Sequence, residues 1–425
     1  MPSLMEKFNE KIKSIKEVGI DSKAQFDVMY STGFRSIDYL NGTVIHVEDK
    51  KNNRKFKYNS TGLIDGSTNA IIGRSGSGKS TLAFQIAGNI VRPFIEQGLD
   101  SNIYIDDIEG SLPEARKFFL LNLTNEQFEQ HVDIRNTGIT AENVFRRIQV
   151  IHDDKLADRK NCEYDTGLFD LEGNRIFKLI PTVYMIDSFA MLLPKDMTET
   201  QELGGSMSAS SIAKSNTSLL KKINQLCKEA NIILININHI MDDIQMGFIP
   251  KAAQISGLKQ GERLPGGKTA IYLSNNMFRV DDSITLKPDK DYGIDGSIVN
   301  FGIIKSRTNI SKRTVPLVFN KTEGEFDTDL SLFQLLYSEG YVKGAGIKQY
   351  FEDLPDVTFS KKTFKDKLKE STELQEVFVK TSIKLLTTYL SDTQIKQNKG
   401  IDESQNNIIN LFDQFTNEII EESTE

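Results

Sequence analysis

Three groups of residues have the types and spacing that could do chemistry, and the first of them is rich in glycine. From Asn69 to Thr81 the chain reads as an apolar strand, then Gly73-x-x-x-x-Gly78-Lys79-Ser80, then a helical pattern. Such glycines allow a tight turn whose backbone N–H groups face phosphates, while the lysine reaches the outer phosphates and the hydroxyl ligates Mg²⁺. The sequence therefore predicts a phosphate-binding loop (P-loop) for ATP and Mg²⁺. Its residues are Gly73, Arg74, Ser75, Gly76, Ser77, Gly78, Lys79, Ser80 and Thr81.

The second group consists of carboxylates at the ends of apolar runs. One strand pattern ends in Asp106, Asp107 and Glu109, and a later one ends in Asp187. Carboxylates at strand ends beside a P-loop position water or the metal. We therefore expect Asp187 to hold Mg²⁺ through water, together with Ser80. The alternative role for Asp187 is that of a helix N-cap.

The third group contains polar residues that end two further strand patterns. One apolar run ends at Asn238 and His239, a position where ligand chemistry occurs in open parallel sheets. A purely structural histidine is the alternative. Another strand pattern ends at Lys305 and Arg307, two cations at alternate positions whose side chains can project to one face. A surface salt-bridge pair is the alternative for these two.

The elements that must position these groups follow an α/β pattern. Strands and helices alternate over residues 69–237, which predicts a mostly parallel, twisted sheet with right-handed crossovers. We expect an N-terminal helical segment (1–30), whose short amphipathic helix docks on a neighbouring subunit or on its own domain. A core (31–345) follows, and then a small helical C-terminal appendage (346–425) with an acidic tail.

Two polar connections containing glycine are the expected places for a nucleic-acid surface. The formal net charge is −7, so such a surface must be local and built on loops. Cations neutralise phosphates, exposed N–H groups add neutral contacts, and an aromatic ring can stack on bases, although core packing is an equal alternative for the ring. The connections are 195–208 and 241–264, and their candidate DNA-binding residues are Gly204, Gly205, Phe248, Lys251, Lys259 and Arg263.

Composition argues against several other classes of protein. The two cysteines, Cys162 and Cys227, lie far apart without C-x-x-C spacing, which indicates neither a disulfide framework nor a zinc site and suits a reducing compartment. No apolar run is long enough for a membrane helix, and the N-terminus does not resemble a signal peptide. We expect a cytoplasmic protein without a membrane partner, in the host cytoplasm if it is encoded by a phage.

Taken together, the motifs resemble the RecA recombinase core, and their last members are closest to phage UvsX-type recombinases. The resemblance covers roughly residues 30–345. It implies an ATP-dependent filament on single-stranded DNA that pairs and exchanges strands with homologous duplex DNA in recombination and repair. A single-strand-binding protein and a mediator are possible further partners. The motifs are Ser31-Thr-Gly-Phe-Arg-Ser-Ile-Asp38, the P-loop, Met185-Ile-Asp-Ser-Phe-Ala190, Ile237-Asn-His239, Gly266-Gly267 and Lys305-Ser-Arg-Thr308.

The resemblance also implies roles for individual residues. Lys79 and Ser80 would bind triphosphate and Mg²⁺, and Asp187 would support the metal. His239 would sense the γ-phosphate. The two connections would be the DNA-binding loops. The cations that would reach the ATP of the adjacent protomer are Lys305 and Arg307.

The sequence departs from the family pattern at the catalytic carboxylate. The family places a glutamate two residues after the aspartate that matches Asp106, and this chain has Ile108 there. We take Glu109 as the water-activating carboxylate through a slip of one residue, with Asp107 as the substitute. The tyrosine that some relatives stack on adenine has no match near Pro113–Lys117.

Two other functions remain open from the sequence. A hexameric replicative helicase of the DnaB type shares the RecA core, but such helicases usually carry a separate domain before the P-loop. The residues before Gly73 instead resemble the recombinase lead-in. A regulatory P-loop ATPase that acts without DNA has no evident need for two polar loops rich in glycine.

Overall fold

The computed structural model describes residues 27–49, 54–169, 174–199, 209–242, 257–265, 273–289 and 291–392. These residues form a mixed α/β fold around one large sheet. The expected N-terminal amphipathic helix and the acidic tail lie outside the described residues. No helix among the described residues is long and apolar enough to cross a membrane. The helices are α1 (Arg35–Asn41), α2 (Lys79–Glu96), α3 (Glu114–Leu121), α4 (Asn125–His131), α5 (Ala141–Ala157), α6 (Arg159–Cys162), α7 (Lys195–Glu199), α8 (Ala209–Ala230), α9 (Thr328–Ser338), α10 (Phe364–Glu370) and α11 (Thr372–Leu386).

The strands fall into one large sheet and several small ones. Those of the large sheet are β5 (Thr68–Gly73), β6 (Asn102–Asp107), β7 (Val132–Arg135), β10 (Thr182–Asp187), β11 (Ile232–His239), β14 (Asn276–Leu286), β15 (Gly296–Lys305), β16 (Thr314–Asn320) and β17 (Glu325–Asp327). The others are β1 (Met29–Tyr30), β2 (Thr43–Asp49), β3 (Arg54–Ser60), β4 (Leu63–Ile64), β8 (Glu163–Phe169), β9 (Arg175–Leu179), β12 (Met241–Asp242), β13 (Glu262–Arg263), β18 (Val342–Ala345), β19 (Lys348–Phe351), β20 (Leu354–Phe359) and β21 (Ser391–Asp392).

The large sheet has nine strands in the order β17-β16-β15-β14-β5-β11-β10-β6-β7. The pairs from β14 to β7 are parallel. The pairs β14-β15, β15-β16 and β16-β17 are antiparallel. The mostly parallel sheet expected from the sequence is therefore confirmed, and an antiparallel extension is added at one side.

Helices cover both faces of the central strands β5, β10 and β11, which explains why these strands are buried along nearly their whole length. Side chains alternate between the faces of a strand, so Val183 and Met185 of β10 pack with α2 on one face. Their neighbours Tyr184 and Ile186 pack with α5 and α8 on the other. The helix that follows the Gly73–Ser80 loop is therefore fixed directly against the centre of the sheet.

The C-terminal region differs from the purely helical appendage that the sequence suggested. Residues 342–359 form a three-stranded antiparallel sheet of β18, β19 and β20, and only then do α10 and α11 follow. The boundary placed at residue 345 falls inside the β18–β19 hairpin. These strands are short and polar on their outer face, with Lys343 and Lys348 exposed. The alternation of apolar and polar residues in these strands is therefore too weak to distinguish them from loops.

A cluster of phenylalanine rings joins this C-terminal region to the large sheet through α9. The rings of Phe333 and Phe364 stack with centroids 4.1 Å apart, and Phe359 meets Phe364 edge-on at 5.2 Å. Phe364 and Phe333 have no exposed surface. Helices α10 and α11 are thus part of the main core.

We expect Phe364→Ala to lower the free energy of unfolding by about 3–5 kcal/mol, because it leaves a cavity among packed rings. Urea-induced unfolding measures the change. The matched control is Phe119→Ala, at a ring that is 46% exposed, where a loss of about 0.5 kcal/mol or less is expected. Equal losses in the two variants would show that the ring cluster does not hold the C-terminal region to the core.

Candidate functional site

Four neighbouring parallel strands bring three of the sequence motifs to one edge of the sheet. His239 at the end of β11 pairs with Gly73 at the end of β5. Asp187 at the end of β10 pairs with Asp107 at the end of β6. These strands are adjacent in the order β5-β11-β10-β6. The Gly73–Ser80 loop, the carboxylates and the histidine therefore meet at the carboxyl edge of the sheet.

The Gly73–Ser80 loop connects β5 to α2 and requires glycine at two positions. A side chain at Gly73 would place its Cβ 2.5 Å from the carbonyl oxygen of Val280. Gly78 has φ +86°, and its Cβ would lie 2.8 Å from the ring of Phe326. Helix α2 begins at the next residue, Lys79. Backbone N–H groups at the start of this helix therefore lie beside the loop, where they favour an anion.

The polar side chains of the loop divide into exposed and buried ones. Arg74 and Ser75 are exposed, whereas Ser77, Lys79 and Thr81 are buried. The ammonium of Lys79 donates to the carbonyl oxygen of Arg74 at 2.7 Å and so curls back over the loop. The Ser77 hydroxyl has no hydrogen-bond partner among the described residues. A buried polar atom of this kind fits a loop that closes around a polar ligand.

Asp187 is a buried carboxylate whose hydrogen bonding only partly offsets the cost of burying its charge. Burial raises its pKa to about 6 against the hydrogen bond from the Ser80 hydroxyl, and the charges of Glu109 and Asp107 raise it further. Its Oδ1 atom has no hydrogen-bond partner among the described residues. No cluster of three or more His, Cys, Asp or Glu side chains is arranged as a metal site in the described part of the chain. The oxygens of Ser80 and Asp187 are donors of the kind that Mg²⁺ prefers, so the residues present fit the predicted ion, with Asp187 acting through water.

Glu109 is the acid that reaches His239. The Nε2 atom of His239 lies 2.9 Å from a carboxylate oxygen of Glu109, and the two side chains are 20% and 27% exposed. The N–H groups of Ile108 and Glu109 both donate to the carbonyl oxygen of Asp187, at 2.6 and 3.1 Å. The glutamate that the sequence placed one residue late thus stands at the edge of the site with access to water.

Asp106 and Asp107, the two acids of β6, are buried and paired with cations from helices. Asp106 has no exposed surface, accepts a hydrogen bond from the Tyr184 hydroxyl and pairs with Arg147. Asp107 lies 2.7 Å from the ammonium of Lys117, whose side chain is 2% exposed. Sequence reasoning missed Lys117 and Arg147, because they come from helices α3 and α5 and no spacing links them to the strand. Their positions leave Glu109 as the accessible carboxylate of the three.

A second group of charges stands beside the Gly73–Ser80 loop. Arg74 binds both carboxylate oxygens of Asp242, at 2.6 and 3.3 Å. Arg279 of β14 binds both oxygens of Glu262, at 2.6 and 2.9 Å, and this pair is nearly fully buried. Arg279 also donates to the carboxylate of Asp281 at 2.7 Å. These ion pairs fix both ends of the 241–264 connection, β12 and β13, next to the loop.

The candidate DNA-binding residues are only partly within the described ranges. Arg263 is exposed on β13, and the exposed Lys259 lies 3.6 Å from Asp281. A short helix, α7, begins the 195–208 connection. Outside the described residues lie Gly204, Gly205, Phe248, Lys251 and the Gly266-Gly267 pair. The DNA-binding assignment therefore stays a prediction.

Lys305 and Arg307 lie at the opposite edge of the sheet from the Gly73–Ser80 loop. Lys305 pairs with Met277 of β14, which in turn pairs with Ala70 of β5, about 10 Å before Gly73 along the strand. The ammonium of Lys305 donates to the carbonyl oxygen of Ser274 at 2.7 Å. Burial lowers the pKa of Lys305, and the charge of Arg307 lowers it further. The structure therefore does not bring these cations into the site of their own chain.

Comparisons with known proteins do not extend this description: no protein-family model matches the chain, and no curated protein matches it. The functional interpretation rests on the residues themselves.

The raised pKa of Asp187 predicts a pH-dependent stability. Between about pH 4 and the folded pKa of about 6 the folded state binds this proton more tightly than the unfolded state. Wild-type stability therefore falls as the pH rises through this window, and Asp187→Asn removes the loss. We expect the variant to match the wild type below about pH 4 and to be more stable above pH 6, by up to about 3 kcal/mol.

Urea unfolding of both proteins across this pH range measures the difference. The control is Asp154→Asn, the same substitution at an exposed carboxylate on α5. A flat difference for Asp187→Asn would contradict the assignment of a raised pKa to this group.

Proposed function

We propose that this protein is a DNA-dependent ATPase with a RecA-like P-loop core, acting as a recombinase that forms filaments on single-stranded DNA. The observation that carries the proposal is the meeting of the Gly73–Ser80 loop, Asp187, Glu109 and His239 at one sheet edge. A loop that requires glycine, a hydroxyl bonded to a carboxylate and an accessible acid are the parts that phosphoryl transfer to water needs.

Each residue has a defined task in this reaction. The backbone N–H groups of the loop and the ammonium of Lys79 bind the triphosphate, once Lys79 turns away from its present carbonyl partner. Ser80 and Asp187 would hold Mg²⁺, which neutralises phosphate charge when bound. Glu109 orients the attacking water. His239 bonds to Glu109 and would sense the γ-phosphate through that contact.

The position of Lys305 and Arg307 supports self-assembly as part of the function. These cations lie across the sheet from their own loop. A second copy that places its loop against this edge would receive them as a clamp on the γ-phosphate. Such a contact ties ATP binding to the association of subunits, as expected of a filament.

Hydrolysis of ATP with and without single-stranded DNA tests the proposal directly. We expect DNA to stimulate the activity, and Lys79→Ala to lower it on the order of 10²-fold or more, because the transition-state charge loses its lysine. Electron microscopy with single-stranded DNA and a slowly hydrolysed ATP analogue should show filaments. Closed rings would favour the helicase, hydrolysis indifferent to DNA would favour the regulatory ATPase, and full activity in Lys79→Ala would refute the P-loop.

Mixing two inactive variants tests the clamp across the subunit interface. Lys305→Ala should bind nucleotide normally but lose DNA-stimulated hydrolysis, because the clamp acts on the neighbour. In a mixture with Lys79→Ala, some interfaces pair an intact loop with an intact clamp, so part of the activity should return. The control is Lys321→Ala, at a half-exposed lysine of the turn after β16, which should stay active alone. No recovery in mixed assemblies would contradict action across the interface.

A further inference from the structure

Lys117 is a fully buried cation close to the candidate site. Its side chain is 2% exposed, and its ammonium lies 2.7 Å from a carboxylate oxygen of Asp107, itself 4% exposed, and 2.7 Å from Glu114. Burial lowers the pKa of Lys117, but the bonds to the two acids outweigh burial and raise it. A charge placed this deep is retained only where its partners are well arranged.

Asp107 uses its other oxygen to close a turn around Glu109. The N–H group of Gly110 donates to Oδ1 of Asp107 at 2.8 Å. The N–H groups of Ile108 and Glu109, inside the same turn, donate to the carbonyl oxygen of Asp187. Glu109 therefore projects from a turn that is fixed at both ends and bonded along its backbone to β10.

These contacts form one chain from helix α3 to the reacting edge of the sheet. Lys117 orients the carboxylate of Asp107, Asp107 orients the turn, and the turn directs Glu109 to His239, 2.9 Å away. Glu114, the other partner of Lys117, is 66% exposed, and the described residues include no bond between it and the turn. The path to Glu109 therefore runs through Asp107.

We propose that Lys117 and Asp107 are positioning residues that set the place of Glu109 for the attack of water. This inference rests on the proposed function. It also explains how a glutamate one residue later than in the family pattern can serve, because the turn of residues 107–110 carries it to the site. Neither residue touches the reacting atoms.

The test uses a double variant, because a single one would leave a buried charge without its partner. Asp107→Leu with Lys117→Met removes both charges and the acceptor of the turn while keeping similar volumes, a change that buried ion pairs often tolerate. Urea unfolding confirms the fold. The matched control is Glu114→Gln, which removes the partner of Lys117 that does not reach the turn, and Glu109→Gln sets the lower limit of activity.

Two measurements on the full chain then separate positioning from a structural role. The first determines two quantities separately: the Kd for Mg-ATP, and the kcat of ATP hydrolysis with single-stranded DNA. We expect an unchanged Kd and a kcat lowered about 10²-fold, towards that of Glu109→Gln, because a misplaced group costs rate and not binding. The second is amide hydrogen exchange at residues 108–110, which should become faster in the double variant only.

The outcomes distinguish this inference from the proposed function. Wild-type kcat in the folded double variant would overturn the inference while leaving the ATPase intact. If the wild type hydrolyses no ATP, the proposed function fails. Amide hydrogen exchange at residues 108–110 then tests by itself whether Lys117 and Asp107 order the turn. Unchanged exchange at residues 108–110 in the double variant overturns the inference in either case.

Discussion

Negative charge buried at the carboxyl edge of an apolar sheet is the constraint on which this structure depends. Asp106, Asp107 and Asp187 are all buried, and they lie at the carboxyl ends of β6 and β10, whose apolar side chains pack in the core. An isolated buried carboxylate is strongly unfavourable, so each one has to be paired, hydrogen-bonded or protonated. Helices α3 and α5 carry the cations that pair with Asp107 and Asp106.

The negative charges of the three carboxylates are offset by nearby cations and hydrogen bonds to different degrees. This difference determines which of them could bind a further cation. Asp106 and Asp107 each have a cation from a helix. Among the described residues Asp187 has no ion pair; it accepts a hydrogen bond from the Ser80 hydroxyl, and burial raises its pKa to about 6. Asp187 is therefore the buried carboxylate that lacks a paired cation in the described part of the chain, and its position suits a bound one. It adjoins the Gly73–Ser80 loop because β10 and β5 both flank β11.

Much of this arrangement could be predicted from the sequence, because the direction of parallel strands determines which of their ends lie together. Residues at the carboxyl ends of such strands meet at one edge, so Gly73, Asp187 and His239 were expected together. The burial of Asp107 could not be predicted, because it depends on Lys117, whose approach from α3 is set by packing and not by any periodicity. The sheet of β18–β20 was missed for another reason: its strands have four to six residues, and helical patterns follow it directly.

The antiparallel extension of the sheet explains why Lys305 and Arg307 cannot reach the Gly73–Ser80 loop of their own chain. Strand β14 continues the parallel direction of β5, but β15 runs back, so its last residue, Lys305, ends at the amino edge. There the side chains of Ser306 and Thr308 bond to Asn41 of α1, which holds this strand end against the N-terminal lead-in. A lysine side chain cannot cross the sheet, so Lys305 and the Gly73–Ser80 loop of one chain stay on opposite edges. If Lys305 and Arg307 contact a triphosphate, as we propose, the triphosphate must be held by another copy.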